Sequence, residues 1–418
     1  MSRAFPRSVA LINPMADYGI DAYTHELARG LAENGVRVDV FTADVSRLTV
    51  GATHPNYRRF RVLGSRLPRV LTDSTLRSES APADLPRREA SATAYSESHS
   101  PVPQWKTKAR QYFLSGEFAL FLRNSRYDVV WTQWPDLGAY AKFWAASRWL
   151  RLRVVHTVHN ILPHDRFSGD WTMCERAYDT ARLLFVHSTP VRDELTALFP
   201  ALASKIVAMP HGTYTLYPRQ IGARARLRAA LHIPPNAVVL LCCGAIKPYK
   251  NVEACIRALA GIDREDVILV IAGSEGGAPS HDELARTRAL VREVGMEDRV
   301  RLQPGFLNET AMAELFEAID VLMIPYLKSY GSGLLMLGIT FGKYIVATRS
   351  GMEESASQYP GAVLLEGSSV DDVRRGIEIA LQKVTMESTS IGLVSPEFDW
   401  TNIAGHCLDD ISRALTHP

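Results

Sequence analysis

The stretch "VVLLCCGAIKPYKNVEACIRALAGIDREDVILVIA", residues 238–272, carries the alternation on which the fold turns. Val238 to Cys243 is an unbroken apolar run of strand length, Gly244 turns the chain, and the residues after Val252 space their apolar members as a helix does. Val267 to Ala272 is apolar again, so the stretch reads strand, helix, strand, the unit of a parallel sheet. The same rhythm extends outward in both directions. Towards the amino end the strand-like runs are Val9 to Ile12, Val36 to Thr42, Tyr127 to Thr132, Arg153 to Val158 and Leu183 to Ser188. Towards the carboxyl end they are Val300 to Gln303, Val321 to Pro325, Tyr344 to Thr348 and Ala362 to Leu365. Two such sets predict an α/β chain of two doubly wound domains, residues 1–213 and 214–396, with the crossover near Pro210 to Arg219. Residues 397–418 read as an amphipathic helix packed on the body, with Trp400, Ile403, Leu408, Ile411 and Leu415 at helical spacing.

A chain of 418 residues exceeds one ordinary core, in keeping with two domains. With 46% apolar and 22% charged residues and a net charge of +2, it reads as a soluble globular protein without the basic excess of a nucleic-acid binder. The amino end has no signal-peptide pattern and the apolar runs fall short of the roughly 20 residues of a membrane span, so a cytoplasmic location with at most peripheral membrane contact is expected. Cys174, Cys242, Cys243, Cys255 and Cys407 have no metal spacing and read as buried, reduced thiols.

Residues 73–104, rich in Ser, Ala, Pro and Arg, break the pattern; they predict a mobile loop, either a plain insertion or an acceptor-side lid. The helix expected from Trp105 to Leu122 carries Lys106, Lys108 and Arg110 near Tyr112, Phe113 and Phe118. With Trp144, Arg148, Trp149, Arg151 and Arg153 it forms either a basic, aromatic face for an anionic bilayer or core aromatics beside solvated arginines.

Several strand ends carry residues suited to chemistry. Gly244 followed by Lys247 and Lys250, just before a helix, makes a pyrophosphate site or a pair of solvated lysines; the spacing is not that of a nucleotide-binding P-loop. In "SGLLMLGITFGKYIVAT", residues 332–348, Ser332 is placed to cap a helix, Gly333 and Leu334 would offer amides to a phosphate, and Gly342 stops the helix. No acidic residue lies in that stretch. After the first strand, Gly19 permits close backbone approach to a ligand, although no dinucleotide fingerprint follows. His156, His159, His164 and Asp165 cluster at a strand exit. Residues three apart on a strand face opposite ways, which argues against a metal and leaves His159 as a substrate contact or a structural histidine. His211-Gly212 marks the crossover, either facing the ligand or serving as hinge structure.

These segments resemble glycosyltransferases of the GT-B fold, in the large GT4-like group of bacterial polysaccharide and glycolipid enzymes. "GAIKPYKNVEACIRAL" resembles that group's glycine-to-lysine segment, with Lys247 at the usual Arg and Lys250 at the usual Lys. "VILVIAGSEG", "RVRLQPGFLNETAMAELFEAIDVLMIPY" and "GSGLLMLGITFGKYIVAT" follow in family order, and "TVHN", "FVHS" and "MPHGTY" are similar to its amino-terminal half. The resemblance implies two Rossmann-like domains facing across a cleft, and transfer of a sugar from a UDP- or GDP-linked donor to a hydroxyl of a carbohydrate or lipid-linked acceptor, without a metal. It places Gly19, His211, Gly244, Lys247, Lys250, Ser332, Gly333 and Leu334 at the donor, with Lys247 and Lys250 neutralising the departing diphosphate and His159 near the sugar. The family's paired glutamates, E-x7-E, are missing: Ser329 and Leu337 stand nearest those places. A retaining reaction is favoured; an inverting one would need a base among Asp17, Asp21, Asp136 and Asp165. An epimerase or phosphorylase of the same fold, and a non-catalytic donor-binding relative, are the competing readings.

Overall fold

The computed structural model describes residues 5–15, 18–43, 48–61, 104–136, 141–162, 170–274, 283–386 and 395–416. The loop expected at 73–104 lies outside them apart from its last residue, as do Asp17, His164 and Asp165. The chain divides into two compact units. The first holds Met1–Phe185, Phe199–Val207 and Ala404–Pro418; the second holds Val186–Leu198 and Ala208–Ile403.

A seven-stranded sheet belongs to the first unit: β1 (Ser8–Asn13), β2 (Arg37–Thr42), β3 (Tyr57–Arg61), β4 (Val129–Thr132), β5 (Val154–Thr157), β6 (Leu183–Val186) and β7 (Ile206–Ala208). Its order is β3-β2-β1-β4-β5-β6-β7. Helices α1 (Tyr18–Glu33), α2 (Gln104–Asn124), α3 (Phe143–Trp149), α4 (Asp170–Thr180) and α5 (Thr189–Leu198) alternate with these strands along the chain, α5 being made of residues of the second unit. Apolar runs announced five of the strands. The sequence "YRRFR" of β3 hides a sixth, because Arg59 is turned inward against Asp21 while Arg58 reaches over the buried Asp39 with two hydrogen bonds of 2.7 and 2.8 Å. At three residues, β7 is too short to show a period.

In the second unit the sheet has six parallel strands: β8 (Val238–Cys243), β9 (Val267–Gly273), β10 (Val300–Pro304), β11 (Val321–Ile324), β12 (Tyr344–Thr348) and β13 (Ala362–Leu365). The helices are α6 (Ala223–Ala230), α7 (Val252–Ala260), α8 (Glu283–Glu293), α9 (Glu309–Ala318), α10 (Gly333–Thr340), α11 (Glu353–Ser357), α12 (Val370–Met386) and α13 (Trp400–Thr416), the last running from the second unit's residues into the first's. Cys255, Ile256, Ala258 and Leu259 of α7 pack with Leu240, Leu269, Ile271 and Val346 of the sheet and Ile377 of α12. Burial of each Leu or Ile there is worth about 1.5–3 kcal/mol. Trp400, Ile403, Leu408 and Ile411 of α13 are buried as their spacing requires, and all five cysteines are buried free thiols.

Strand order decides where ligands can lie. β8 leads outward to β9 and β10, whereas its other neighbour, β11, leads outward to β12 and β13, so the order reverses between β8 and β11. In the first unit the reversal falls between β1 and β4. Doubly wound sheets bind ligands beyond the carboxyl ends of the strands at such points.

Candidate functional site

In the second unit the β8/β11 reversal gathers the two features expected to bind phosphate. Gly244 follows β8 with φ +87°, and a methyl group there would lie 2.5 Å from Lys250 Nζ and 3.7 Å from Leu334 Cδ1. The lysine loop and the start of α10 are therefore neighbours around one glycine. Gly273, ending β9, lies against the carbonyl of Gly244, so close that a Cβ would sit 2.1 Å from that oxygen; the loop's path needs glycine at both places.

Lys250 closes a short 3₁₀ turn, Pro248–Lys250, and Asn251 in the left-handed region (φ +56°) redirects the chain into α7. The ammonium of Lys250 is buried and donates to the Cys243 carbonyl at 2.7 Å. Lys247 is half-buried, in extended backbone. Ser332 takes up the cap of α10: its hydroxyl accepts from the Leu335 amide at 3.3 Å, and the amides of Gly333 and Leu334 open the helix. Gly342 follows the helix at φ +63°, the left-handed stop its position predicts.

Two histidines lie beside this turn within the same unit. His211 is buried and bonds the Gly212 carbonyl through Nδ1 at 2.8 Å; a carbonyl only accepts, so Nδ1 carries the proton and Nε2 accepts from Tyr214 at 3.4 Å. Burial pushes its pKa down to about 4. His187, 5.6 Å from it between ring centres, is pushed down to about 3 by burial and by His211. A Cβ on Gly333 would meet the Tyr214 hydroxyl at 2.6 Å, so this tyrosine backs the first turn of α10.

The places nearest the absent glutamates have other work. The Ser329 hydroxyl donates to the Gly331 carbonyl at 2.7 Å, and Leu337 is 2% exposed in the core.

In the first unit, Gly19 is exposed at the start of α1, beyond β1. His159 is half-buried past β5, 3.2 Å from Gln133 Oε1 and edge-on to Tyr23. An amide oxygen only accepts, so His159 Nε2 carries the proton; the partner, Gln133, lies just past β4 and gave no signal in the sequence. His156 is wholly buried, 2.8 Å from Thr132 Oγ1, and burial pushes it down to about 3. His156 and His159 therefore keep separate partners, and among the described residues no three His, Cys, Asp or Glu side chains gather as a metal site.

One expectation needs correction, that of Asp21 as a base. Asp21 is 1% exposed, accepts from Asn13 at 2.6 Å and stands 3.6 Å from the buried Arg59, so it holds the β1–α1 turn together and does not present a base to an acceptor. Asp136 is exposed. Of the basic aromatic face, Trp144 is a core residue donating to the Pro135 carbonyl and Phe118 is buried. Trp149 is 82% exposed, with Arg148, Arg151 and Arg153 also at the surface. The side chains of residues 106–113 lie outside the description.

Two family models match the chain: residues 18–212 match a glycosyl transferase 4-like domain and residues 223–388 match glycosyl transferases group 1. A D-inositol 3-phosphate glycosyltransferase of Kineococcus radiotolerans is 27% identical over 334 residues, 73% of this chain and 67% of that protein. Among solved structures, the catalytic domain of starch synthase IV from Arabidopsis thaliana, bound to ADP and acarbose, superposes with a TM-score of 0.71 at 13% identity, covering 99% of this chain and 100% of that one. Anabaena HepE in complex with UDP-glucose superposes with a TM-score of 0.62 at 15% identity, covering 98% of each chain. At these identities the superpositions establish the fold.

Proposed function

The chain is a glycosyltransferase of the GT-B fold that uses a nucleotide sugar, and from that premise we propose that it holds the donor's diphosphate at the β8/β11 reversal of the second unit. The observation that carries this reading is Gly244 lying against both Lys250 Nζ and Leu334, which brings a buried cation and a capped helix start together around one backbone turn. Departure of a nucleoside diphosphate builds negative charge, and fixed donors aimed at that charge lower the barrier. Lys247, Lys250 and the amides of Gly333 and Leu334 supply them from the protein itself, without a metal in this reading. With no glutamate at Ser329 or Leu337, affinity rests on the diphosphate more than on sugar or ribose hydroxyls.

The burial of Asp21 removes one candidate base and supports retention, which needs no carboxylate to deprotonate the acceptor. We further propose a carbohydrate or lipid-linked acceptor, with Trp149 and its neighbouring arginines resting on an anionic membrane face. Among the described residues no helix is long and apolar enough to cross a membrane, so such contact would be peripheral.

Calorimetric titration with UDP, GDP and ADP, followed by release assays on the corresponding sugars, tests the donor site. Lys250→Ala should lower diphosphate affinity by about tenfold or more. Unchanged binding by that variant would show that the phosphate lies elsewhere.

A further inference from the structure

We propose that Tyr214 is a positioning residue for the diphosphate site: its hydroxyl, held by His211, lies against Gly333 and sets the place and direction of the first amides of α10. This rests on the donor-site reading above and adds a residue that acts through two of that site's members. The chain around Tyr214 is fixed at three successive residues. Gly212 presses on Trp400 so closely that a Cβ would lie 2.6 Å from the indole. The Thr213 amide donates to the Phe398 carbonyl at 2.9 Å, and the Tyr214 amide donates to Oγ1 of Thr340, the last residue of α10, at 3.0 Å. Thr340 Oγ1 in turn donates to the Met336 carbonyl at 2.7 Å, so the end of the helix is tied to the backbone of Tyr214.

The side chain reaches the start of the same helix. Its ring is buried at 6% exposure, with Tyr217 edge-on at 5.4 Å between centres. Its hydroxyl donates to His211 Nε2 at 3.4 Å, while Nδ1 of that histidine is committed to the Gly212 carbonyl at 2.8 Å. Burial pushes the histidine down to about 4, so near neutral pH Nε2 keeps the lone pair that receives the phenol proton. A Cβ on Gly333 would lie 2.6 Å from the phenol oxygen, but 3.7 Å from the ring carbon that carries it and 3.8 Å from His211 Nε2. The last two are ordinary contacts, and the φ of Gly333 lies outside the left-handed region, so the phenol oxygen is what reserves this position for glycine. Tyr214 thus meets both ends of an eight-residue helix, and any shift of the phenol is passed directly to the amides of Gly333 and Leu334.

A rescue experiment tests the contact, with the tightest-binding of UDP, GDP and ADP as the titrant. Gly333→Ala puts a methyl against the phenol oxygen and should weaken diphosphate binding about tenfold or more. Tyr214→Phe keeps the ring and removes the oxygen, and should weaken it about threefold. The combined Gly333→Ala/Tyr214→Phe variant has room for the methyl and should bind as Tyr214→Phe does, more tightly than Gly333→Ala alone, because both changes act on one contact. Affinity for the parent nucleoside, measured by competition, should stay unchanged in all three. The melting temperature should fall in Gly333→Ala and recover in the pair, which reads the contact even where the single variant is too unstable to titrate. Additive losses in the pair, wild-type affinity in either single variant, or an equal loss for nucleoside and diphosphate would each overturn the role of Tyr214 while leaving the donor site standing. Absence of any diphosphate binding by the wild type would instead overturn the donor-site reading, and with it the part of Tyr214 in binding.

Discussion

Lys250 Nζ and the carbonyl of Cys243 are joined by a 2.7 Å hydrogen bond that folds the lysine back onto the end of β8, the strand that launched its loop. The ammonium is thereby held beneath Gly244 and kept from solvent, which sets its position before any ligand arrives. A cation held in this way loses little rotamer freedom on binding an anion, and that economy favours affinity.

Gly244→Ala should damage binding more than folding. The left-handed φ of +87° costs a non-glycine residue about 1–2 kcal/mol. The new methyl would sit 2.5 Å from Lys250 Nζ, and the flexible end of that side chain would move aside to relieve the clash. Diphosphate affinity should fall about tenfold or more while the melting temperature drops by several degrees. Titration and thermal denaturation of the same preparation check both; a variant that binds normally would show that Lys250 need not occupy its observed place.

Asp21→Asn separates support from catalysis. The carboxylate takes a 2.6 Å bond from Asn13 and faces the buried Arg59, so neutralising it should cost about 1–3 kcal/mol of stability. A catalytic base would lose about 10²–10⁴-fold in rate, whereas a support should leave kcat within about tenfold of wild type. The turnover number at saturating donor, set beside the urea midpoint, decides between them.

How much of this was visible in the residues depended on whether the cause was local. The strand Val238–Cys243, the Ser332 cap and the Gly342 stop were legible because period, cap chemistry and left-handed glycine are properties of a short window. Strand β3 was not, since its inward Arg59 makes sense only beside Asp21, which the chain brings from another element. The same distance hid the true state of Asp21, which looked like an available acid until its neighbours were known. Gln133 against His159 is a pairing made by strand order; nothing in either local sequence specifies it.

Acid should destabilise the protein through its buried histidines. His25, His156 and His187 are pushed down to about 3 and His211 to about 4, with burial the largest cause in each. In the unfolded chain they titrate near 6.5, so between about pH 6.5 and pH 4 the unfolded state binds more protons than the native one. Stability is then complete above about pH 6.5, falls as pH falls through that window, and levels once the native histidines protonate. Each contributes a slope of roughly 1.4 kcal/mol per pH unit. Urea midpoints between pH 7 and pH 5 should decline steeply, and His156→Gln should flatten the decline by one histidine's share.

Leu337→Glu asks whether the acid-free helix could simply be given one of its missing glutamates. Leu337 is 2% exposed, on the buried side of α10 between Met336 and Gly338. Gly338 itself is pressed so closely on Ile345 and Leu322 that a Cβ would lie 2.9 Å from each. A carboxylate introduced here would be desolvated within the same tightly packed layer, and the expected cost is about 3 kcal/mol or more, with its pKa raised towards neutrality. The variant should therefore be markedly less stable at pH 8 than at pH 6, because only the protonated acid tolerates the site. It should gain no donor affinity. A Leu337→Glu protein that is as stable as wild type at pH 8 and binds the nucleotide sugar more tightly would show that α10 can turn this position towards the ligand. In that case the absence of the glutamates would reflect the choice of donor and not the packing of the helix.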